Sequence, residues 1–238
     1  MKKILTTAIL CAGLVGFTAC DSFLDEEPKS SLTLDTYYKT SADIIGNVNY
    51  LYRDGAPDKM GNMTGAYRGS SLSVMNMVTG YFVNEYEGQE VDCSYARQLT
   101  RQNFTQSCCN YLTNDTWKGC YKSINVANAV IKYVDGVEMD GQAQYKAEAR
   151  FFRALNYFYL VKMFGDVPMI TEPTEDATLV EYPARTAASE VYKTVIIPDL
   201  QFAVENLPDA TFAGNSHRVT KYAADMLLAD VYMRPGEI

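Results

Sequence analysis

The side chains that most often carry enzymatic chemistry offer two routes to hydrolysis in this sequence, and no pattern supports either of them. The chain has one histidine, His217, so a serine or cysteine triad has to use it. His217 follows the polar turn Gly214-Asn215-Ser216, where a solvated loop histidine is the expected role. The 29 acidic residues allow many carboxylate pairs, but no spacing singles out the acid and the base of a glycosidase. We therefore predict that the chain is not an enzyme.

Cysteine is the second reactive residue type, and six are present. Two of them, Cys11 and Cys20, lie in the N-terminal targeting region. The other four allow three disulfide pairings, among which the sequence does not choose; they are Cys93, Cys108, Cys109 and Cys120. An oxidising compartment favours a disulfide that includes Cys93, whereas Cys120 lies on an apolar helical stripe and is interpreted as a small buried residue. With no C-x-x-C motif and one histidine, neither a metal site nor a cofactor is predicted.

The N-terminus has the features of a signal peptide. Two lysines precede an apolar run over residues 4–17, which is too short to cross a bilayer as a helix. We therefore predict that residues 1–19 direct export and are then removed. The remaining 219 residues (238 − 19) are enough for one sizeable domain with a proper core.

The residues that end this segment indicate a lipid anchor. Phe17-Thr18-Ala19-Cys20 looks like the lipobox of a bacterial lipoprotein, with Phe17 in place of the more usual leucine. Lipid attachment at Cys20 by a thioether-linked diacylglycerol would hold the mature chain on a membrane, because several acyl chains bind firmly where one binds weakly. Residues 20–40 then form an acidic tether. The alternative is ordinary secretion with Cys20 unmodified.

The charge balance excludes one class of partner. The chain has 21 basic and 29 acidic residues, a net charge of −8 and a pI of about 4.7. Such a surface repels phosphate backbones, so nucleic acid is not predicted as a partner.

Apolar spacing predicts an antiparallel helical hairpin in the centre of the chain. One helix is expected to begin at Asp115, and its apolar residues recur at intervals of three and four: Trp117, Cys120, Ile124, Ala127, Ile131 and Val134. The short loop over residues 135–141 then joins it to a second, antiparallel helix.

That second helix contains the most informative stretch of the sequence, EARFFRALNYFYLVKMFGDVPMIT, over residues 148–171. Its first half is predicted to be amphipathic, with a polar face of Lys146, Arg150 and Arg153 opposite a buried stripe of Ala147, Phe151, Ala154, Leu155 and Phe158. Between Tyr157 and Phe164 only Lys162 is charged, so this half must lie inside a helical layer. Gly165 is a left-handed cap candidate, and Pro168 cannot continue the helix.

Three further helices are predicted. Thr40 or Ser41 caps the first, which runs to Tyr52 and buries Ile44, Val48 and Leu51. After an extended link to about residue 185, Thr186 caps a helix that Pro198 should kink, with a buried face formed by Val191, Tyr192, Val195, Ile196 and Leu200. Thr220 caps the last helix, which ends at Arg234-Pro235-Gly236 and has as its core face Ala224, Leu227, Leu228 and Val231.

Residues 55–114 form an exception to this helical periodicity. Six of the fifteen glycines lie between Gly55 and Gly88, which favours turns over long helices. The predicted fold class is therefore all-α, with residues 41–238 forming helical hairpins around an irregular, loop-rich insertion. Two consecutive hairpins of this size resemble tetratricopeptide packing, although the strict consensus of that repeat is absent.

Several segments resemble the SusD/RagB family of bacterial outer-membrane nutrient-binding lipoproteins. They are CDSFLDEEP, TWKGCYKSINVANAVI, the 148–171 stretch, EVYKTVIIPDLQFAVENLP and KYAADMLLADVYM. Together they cover nearly the whole chain, and residues 55–114 match least. Family members are usually about twice this long, so the chain looks like an N-terminal half whose C-terminal half is absent, through either a truncated gene or a partial record.

The resemblance implies a function at the cell surface. A SusD-like protein is lipid-anchored on the outer membrane, captures a glycan or other oligomeric nutrient, and delivers it to a TonB-dependent transporter of the SusC type. The transporter, the oligosaccharide and the membrane are thus the implied partners. A helical-repeat lipoprotein that binds another protein and no nutrient is the alternative.

Glycan capture requires aromatic faces that stack on sugar rings, together with amide and guanidinium groups that bind hydroxyls. Under the resemblance, tyrosines of the irregular insertion and their polar neighbours are the candidates. The predicted ligand-binding residues are Tyr67, Tyr81, Asn84, Tyr86, Tyr95, Arg97 and Arg101. Each tyrosine has the alternative role of packing its ring while its hydroxyl meets water.

Overall fold

The computed structural model describes residues 33–52, 79–81, 98, 100–103, 106–175, 183–234, 236 and 238, with side chains of the 106–175 segment described from Thr116 onward. Within these residues seven α-helices are found: α1 (Leu34–Tyr37), α2 (Ser41–Tyr50), α3 (Gln106–Tyr133), α4 (Gln142–Phe164), α5 (Ala188–Val191), α6 (Ile197–Asn206) and α7 (Lys221–Tyr232). The one β feature in this part of the chain is an isolated bridge between Val167 and Thr186. The all-α fold class is confirmed.

Helices α3 and α4 form the predicted hairpin. Cys120, Ile124, Ala127 and Val134 of the predicted stripe are buried, while the two remaining members are only half-buried. A 3₁₀ turn at Val134–Gly136 ends α3. The side-chain amide of Gln142 then donates to the carbonyl oxygens of Val134 (2.7 Å) and Val137 (3.0 Å), which fixes the turn between the helices.

The start of α3 differs from the prediction. The helix begins at Gln106, nine residues before Asp115. The nine added residues, 106–114, include two adjacent cysteines and two asparagines, and polar residues occupy the positions that would continue the predicted apolar stripe. Periodicity detects a buried face rather than a helical backbone, which is why this extension was missed.

Helix α4 is the centre of the core. In its apolar half, Tyr157, Phe158, Leu160 and Val161 are buried, whereas Tyr159 and residues 162–164 are only half-buried, so the predicted full burial holds for part of this half. Gly165 ends the helix at the expected position, and its N–H donates to the carbonyl oxygen of Val161 at 3.0 Å. Its φ of +67° favours glycine, but its ψ of −125° lies outside the left-handed helical region that was predicted.

The predicted polar face of α4 was wrong at Arg153. Its side chain is buried and forms an ion pair with Asp199 of α6, at 2.7 Å from Nε to Oδ2. Glu148, one turn earlier, is also fully buried. Because α2, α3 and α6 all pack against α4, little of its circumference remains for solvent.

The predicted cap of the helical run that contains α5 and α6 was wrong. Thr186 does not cap a helix; its backbone pairs with Val167. The exposed N–H of Ala188 instead donates a hydrogen bond to the carboxylate of Asp166, at 2.9 Å from N to Oδ1. Between α5 and α6 the backbone widens into a π-helical segment, Tyr192–Ile196, directly before Pro198 at the start of α6. The irregularity expected at Pro198 therefore takes the form of a π segment.

Helices α6 and α7 form the second hairpin, which packs through α6 onto α4. Thr220 is the residue before α7, as predicted. Ala224 and Val231 are buried, but Leu227 and Leu228 are only half-buried. This tetratricopeptide-like array thus leaves one side of α7 open. No helix among the described residues has the length and apolarity needed to span a bilayer.

Candidate functional site

Two of the seven predicted ligand residues lie within the described part of the chain. Tyr81 lies in a turn after Gly80 (φ +79°), and its side chain is 88% exposed. Arg101 is exposed in another turn, beside Gln102 (φ +53°). No hydrogen bond or ring contact joins these two side chains within the described part of the chain. Both positions agree with surface roles without forming a site together.

The remaining predicted residues lie outside the described parts of the chain. These are the lipid site Cys20 and the ligand candidates Tyr67, Asn84, Tyr86, Tyr95 and Arg97. The side chains of three of the four cysteines open to pairing are likewise outside it. The fourth, Cys120, is a buried free thiol, and burial raises its pKa to about 12. Its interpretation as a small core residue agrees with this position.

An open cavity of about 290 Å³ lies between α1, α2 and α3 and forms the candidate site. We call it the Tyr37 cavity. It is lined by Thr33, Leu34, Tyr37 and Tyr38 from α1 and its flanks, by Asn47 from α2, and by Asn125, Val126 and Ala129 from α3. Its volume lies near the lower end of the roughly 300–1,000 Å³ typical of small-molecule pockets.

Local hydrogen bonds build the α1 wall. The N–H of Thr33 donates to the hydroxyl oxygen of Thr36 at 3.0 Å, and that hydroxyl donates back to the Thr33 carbonyl oxygen at 3.0 Å. This reciprocal cap closes a helix of only four residues. It presents two adjacent tyrosine rings, Tyr37 and Tyr38, edge to face with centroids 4.9 Å apart.

The two tyrosines have different roles. Tyr38 is 6% exposed and stacks on Tyr133 of α3, with ring centroids 5.1 Å apart and planes 5° from parallel. Burial raises the pKa of the Tyr38 hydroxyl. Tyr37 remains 37% exposed at the cavity. Tyr38 therefore fastens α1 to α3, and this leaves the ring of Tyr37 accessible in a fixed position.

Two asparagines face the cavity with opposite hydrogen-bonding groups open. The amide of Asn47 donates to the hydroxyl of Tyr37 (3.1 Å) and to the carbonyl oxygen of Asp43 (2.9 Å), which occupies both of its N–H groups. The amide oxygen of Asn125 accepts from the N–H of Thr174 at 2.7 Å. Within the described residues, the Asn47 oxygen and the Asn125 NH₂ group have no protein partner.

The orientation of Asn125 depends on a buried ion-pair cluster. Arg153 donates to both carboxylate oxygens of Asp199 (2.7 and 2.9 Å) and to the amide oxygen of Asn128 (2.8 Å). The NH₂ group of Asn128 donates in turn to the carbonyl oxygens of Ile170 (3.0 Å) and Glu172 (3.2 Å). The extended link after α4 is thereby held along α3.

Two tyrosines strengthen this attachment of the link. The hydroxyl of Tyr121 donates to the carbonyl oxygen of Pro168 at 2.7 Å. The hydroxyl of Tyr157 donates to the carbonyl oxygen of Ile170 at 2.8 Å and accepts from its N–H at 2.6 Å. With the link fixed, the N–H of Thr174 is directed at Asn125, and the free NH₂ group of Asn125 is left for the cavity.

The electrostatic surroundings of the cavity are acidic. None of its lining residues is charged. Asp43 lies beside it, and hydrogen bonding from the Thr40 hydroxyl holds the pKa of that carboxyl below its usual range. On the other side, Lys132 is engaged by Glu175 at 2.5 Å. Asp35 lies close to Tyr133 and contributes to raising the pKa of its hydroxyl, after burial.

The sequence pattern did not single out Tyr37, Asn47 or Asn125. The adjacent tyrosines of α1 were a usable signal, since two neighbouring rings at a helix end cannot both enter the same core. Nothing in the sequence marks the two asparagines, because their open groups result from contacts 10 and 49 residues away along the chain.

A second depression, of about 580 Å³, lies between α2 and the loop before α4. Its rim includes the carboxylates of Glu138 and Asp140. The described residues contain no group of three potential metal ligands, here or elsewhere. We therefore take the Tyr37 cavity, with its aromatic face and converging amides, as the candidate site.

The one histidine occupies an exposed turn. His217 has φ +61°, and its ring contacts Phe212 edge to face at 5.2 Å. No hydrogen bond between its imidazole and a carboxylate is found among the described residues. This geometry resembles a solvated loop residue rather than the base of a triad.

Comparison with known proteins gives a consistent result. Residues 22–233 match a family model, SusD-like, described as starch-binding and associating with the outer membrane. A curated relative, SusD-like protein P2 of Formosa agariphila, is 30% identical over the whole of this chain and 44% of its own length. The chain spans 38–44% of the length of the curated relatives it matches.

Solved structures agree with the fold. A SusD superfamily protein from Parabacteroides distasonis superposes with a TM-score of 0.61 at 27% identity, over 80% of this chain and 38% of the other. A laminarin-binding SusD-like protein superposes with a TM-score of 0.66 at 25% identity, over 84% of this chain and 41% of the other.

Proposed function

The chain belongs to the SusD-like family, and we propose on that premise that it captures an oligosaccharide at the outer face of the outer membrane. It then passes the ligand to a TonB-dependent transporter of the SusC type. The observation that carries this proposal is the family match over residues 22–233, supported by a relative named for laminarin binding. The chain covers less than half of the length of its curated relatives, so nutrient capture and delivery, which are activities of the whole protein, are stated for this chain as a proposal.

The proposed role needs binding without bond cleavage. Aromatic rings at the surface supply stacking faces, of which Tyr37 and Tyr81 are two in the described residues. Amide groups beside Tyr37 supply hydroxyl partners. A lipid anchor at Cys20 would hold the protein at the membrane, where captured ligand reaches the transporter.

A protein-binding role without a nutrient ligand is the second candidate, and one feature favours it. Tyr222 and Met226 on α7 and Met233 directly after it are exposed at helical spacing. Exposed apolar stripes of this kind often mark surfaces that contact other protein. The two roles predict different ligands, so they can be tested together.

The test is a screen of the 238-residue protein, purified in detergent, against an oligosaccharide array, followed by calorimetric titration of the hits. We expect binding with a dissociation constant of about 1 mM or tighter, equivalent to about 4 kcal/mol, and no release of new reducing ends. Replacing Tyr81 and Tyr86 together with alanine should weaken binding without lowering the melting temperature. If binding were submicromolar and unchanged by this double replacement, the binding site would not include these tyrosines.

The transporter is tested separately. Cross-linked outer membranes should yield a TonB-dependent transporter together with the wild-type chain. An absence of any oligosaccharide ligand, combined with recovery of a different protein through α7, would favour the protein-binding role and contradict nutrient capture.

A further inference from the structure

We propose that the Tyr37 cavity is a binding subsite for a neutral sugar ring. The inference rests on the proposed function and deepens it, because it names the place and the chemical class of the ligand. Three independent features carry it: the polarity of the open amide groups, the fixed aromatic face, and the charges around the cavity.

The open polar groups match a hydroxyl pair. The Asn47 oxygen offers an acceptor, and the Asn125 NH₂ group offers donors. A sugar hydroxyl donates one hydrogen bond and accepts others, so neighbouring hydroxyls can satisfy both asparagines at once. The hydroxyl of Tyr37 accepts from Asn47, and its own proton stays available for a third bond. A ligand with donors only or acceptors only would leave one amide unmatched.

The aromatic face is held in place before any ligand arrives. Tyr38 is locked on Tyr133, and Asn47 holds the Tyr37 hydroxyl, so the ring of Tyr37 is fixed at both ends. A fixed ring loses little conformational entropy on binding. Its face can pack against the C–H face of a pyranose, and Val126 and Ala129 complete an apolar floor.

The charges argue against acidic sugars. Recognition of a uronate or sulfate ester normally uses arginine or lysine, and no such residue lines the cavity. Of the nearby cations, Lys132 is paired with Glu175, and Lys122 lies over the ring of Tyr50 at 5.4 Å. Lys39, which follows Tyr38, is exposed and is not one of the lining residues. The carboxylates of Asp35 and Asp43 add repulsion toward an anion.

The experiment follows the Asn125 side chain directly. Its NH₂ signals in the nitrogen-resolved NMR spectrum are assigned as those lost in N125D, a replacement that keeps an oxygen for the N–H of Thr174. Neutral laminarin oligosaccharides and galacturonate oligosaccharides of equal length are titrated into the detergent-purified protein, with calorimetry in parallel. Tyr37→Ala removes the ring, and Tyr232→Ala removes another exposed tyrosine, from α7, as the control (51% exposed against 37% for Tyr37).

We expect the Asn125 signals to shift with the laminarin titration. Tyr37→Ala and N125D should each weaken laminarin binding by about tenfold, the equivalent of about 1.4 kcal/mol, and Tyr232→Ala should not. Galacturonate should bind at least about tenfold more weakly than laminarin.

Each contrary result has a distinct meaning. Laminarin binding that leaves the Asn125 signals and the Tyr37→Ala affinity unchanged overturns the subsite, while the proposed function stands. Equal or tighter binding of galacturonate that depends on Tyr37 overturns the neutral class. Failure of every glycan on the array to bind overturns the proposed function and this inference with it.

Discussion

Replacing Arg218 with methionine should destabilise the protein severely, because it strips a buried carboxylate of its counter-ion. Glu148 of α4 has a side-chain exposure of 0% and is contacted by the Arg218 guanidinium, at 2.5 Å from Nη2 and 3.0 Å from Nε. Its carboxylate also accepts from the hydroxyl of Tyr52 (2.9 Å) and the amide of Gln144 (3.1 Å). Methionine keeps the apolar stem of Arg218 and removes only its charged end.

The magnitude follows from burial. Removing one partner of a buried ion pair costs about 3 to 5 kcal/mol, since the remaining charge is left uncompensated. The Arg218 side chain is 20% exposed, so water can partly solvate the vacated space. The neutral hydrogen bonds from Tyr52 and Gln144 also remain. We therefore expect a loss near the lower end, about 3 kcal/mol, together with the smaller loss of the Arg218 to Asn49 contact at 2.8 Å.

The assay is a double-mutant cycle in urea. Arg218→Met, Glu148→Leu and the double variant are unfolded beside the wild type, with circular dichroism reporting the helices. Because the double variant leaves no unpaired charge, it should lose less stability than Arg218→Met alone, with a coupling of about 2 kcal/mol. A Tyr52→Phe variant serves as a control, since it removes a hydroxyl and keeps both charges.

Two results would refute this reasoning. A loss below about 0.5 kcal/mol for Arg218→Met would mean that the pair behaves as a solvated surface ion pair. Strictly additive losses would mean that Glu148 and Arg218 do not interact. Either result would also mean that this ion pair does not hold the segment before α7 against the start of α4.

Three other predictions test the core, the pH response and the anchor. Phe158→Ala should lower the free energy of unfolding by about 3 to 5 kcal/mol, because it empties a buried aromatic site. Lys146→Ala should change it by no more than about 0.5 kcal/mol. Similar losses for both variants in denaturant melts would mean that the buried face of α4 is assigned wrongly. Burial raises the pKa of Tyr157 from 10.0 to about 12, so the folded state holds this proton more tightly than the unfolded chain does. Its contribution to stability is complete below pH 10 and should be lost as the pH rises toward 12, by up to about 3 kcal/mol; melts of Tyr157→Phe should show a shallower decline over the same range. Cys20→Ala should shift the protein from the outer membrane to a soluble exported or unprocessed form, and equal labelling of both proteins by a palmitate analogue would exclude lipid attachment at Cys20.

The helices near the core were predictable because their signal is local. A buried helical face requires apolar residues three and four positions apart, and α2, the second half of α3 and α4 all contain that pattern. The end of α4 was predictable for a similar reason: Gly165 adopts φ +67°, which other residues rarely do. Family membership was also readable from literal residues such as those of the 148–171 stretch.

The burial of charged residues was not readable in the same way. Arg153 and Glu148 look like members of a solvated helix face, yet each meets a partner 46 or 70 residues further along the chain. A charge enters a core only when its partner is delivered by another element. Whether such a partner lies nearby depends on how the helices pack, and it produces no periodic pattern in the sequence.

The candidate site shows the same division most clearly. The sequence by itself determined an all-α family member rich in tyrosine, because composition and local spacing are sufficient for that. Which of two adjacent tyrosines stacks inside, and which amide groups of Asn47 and Asn125 remain open, was decided only by the tertiary structure. Ring stacking and hydrogen bonding depend on atoms brought within a few ångströms of each other, and here those atoms come from α1, α2, α3 and the link after α4.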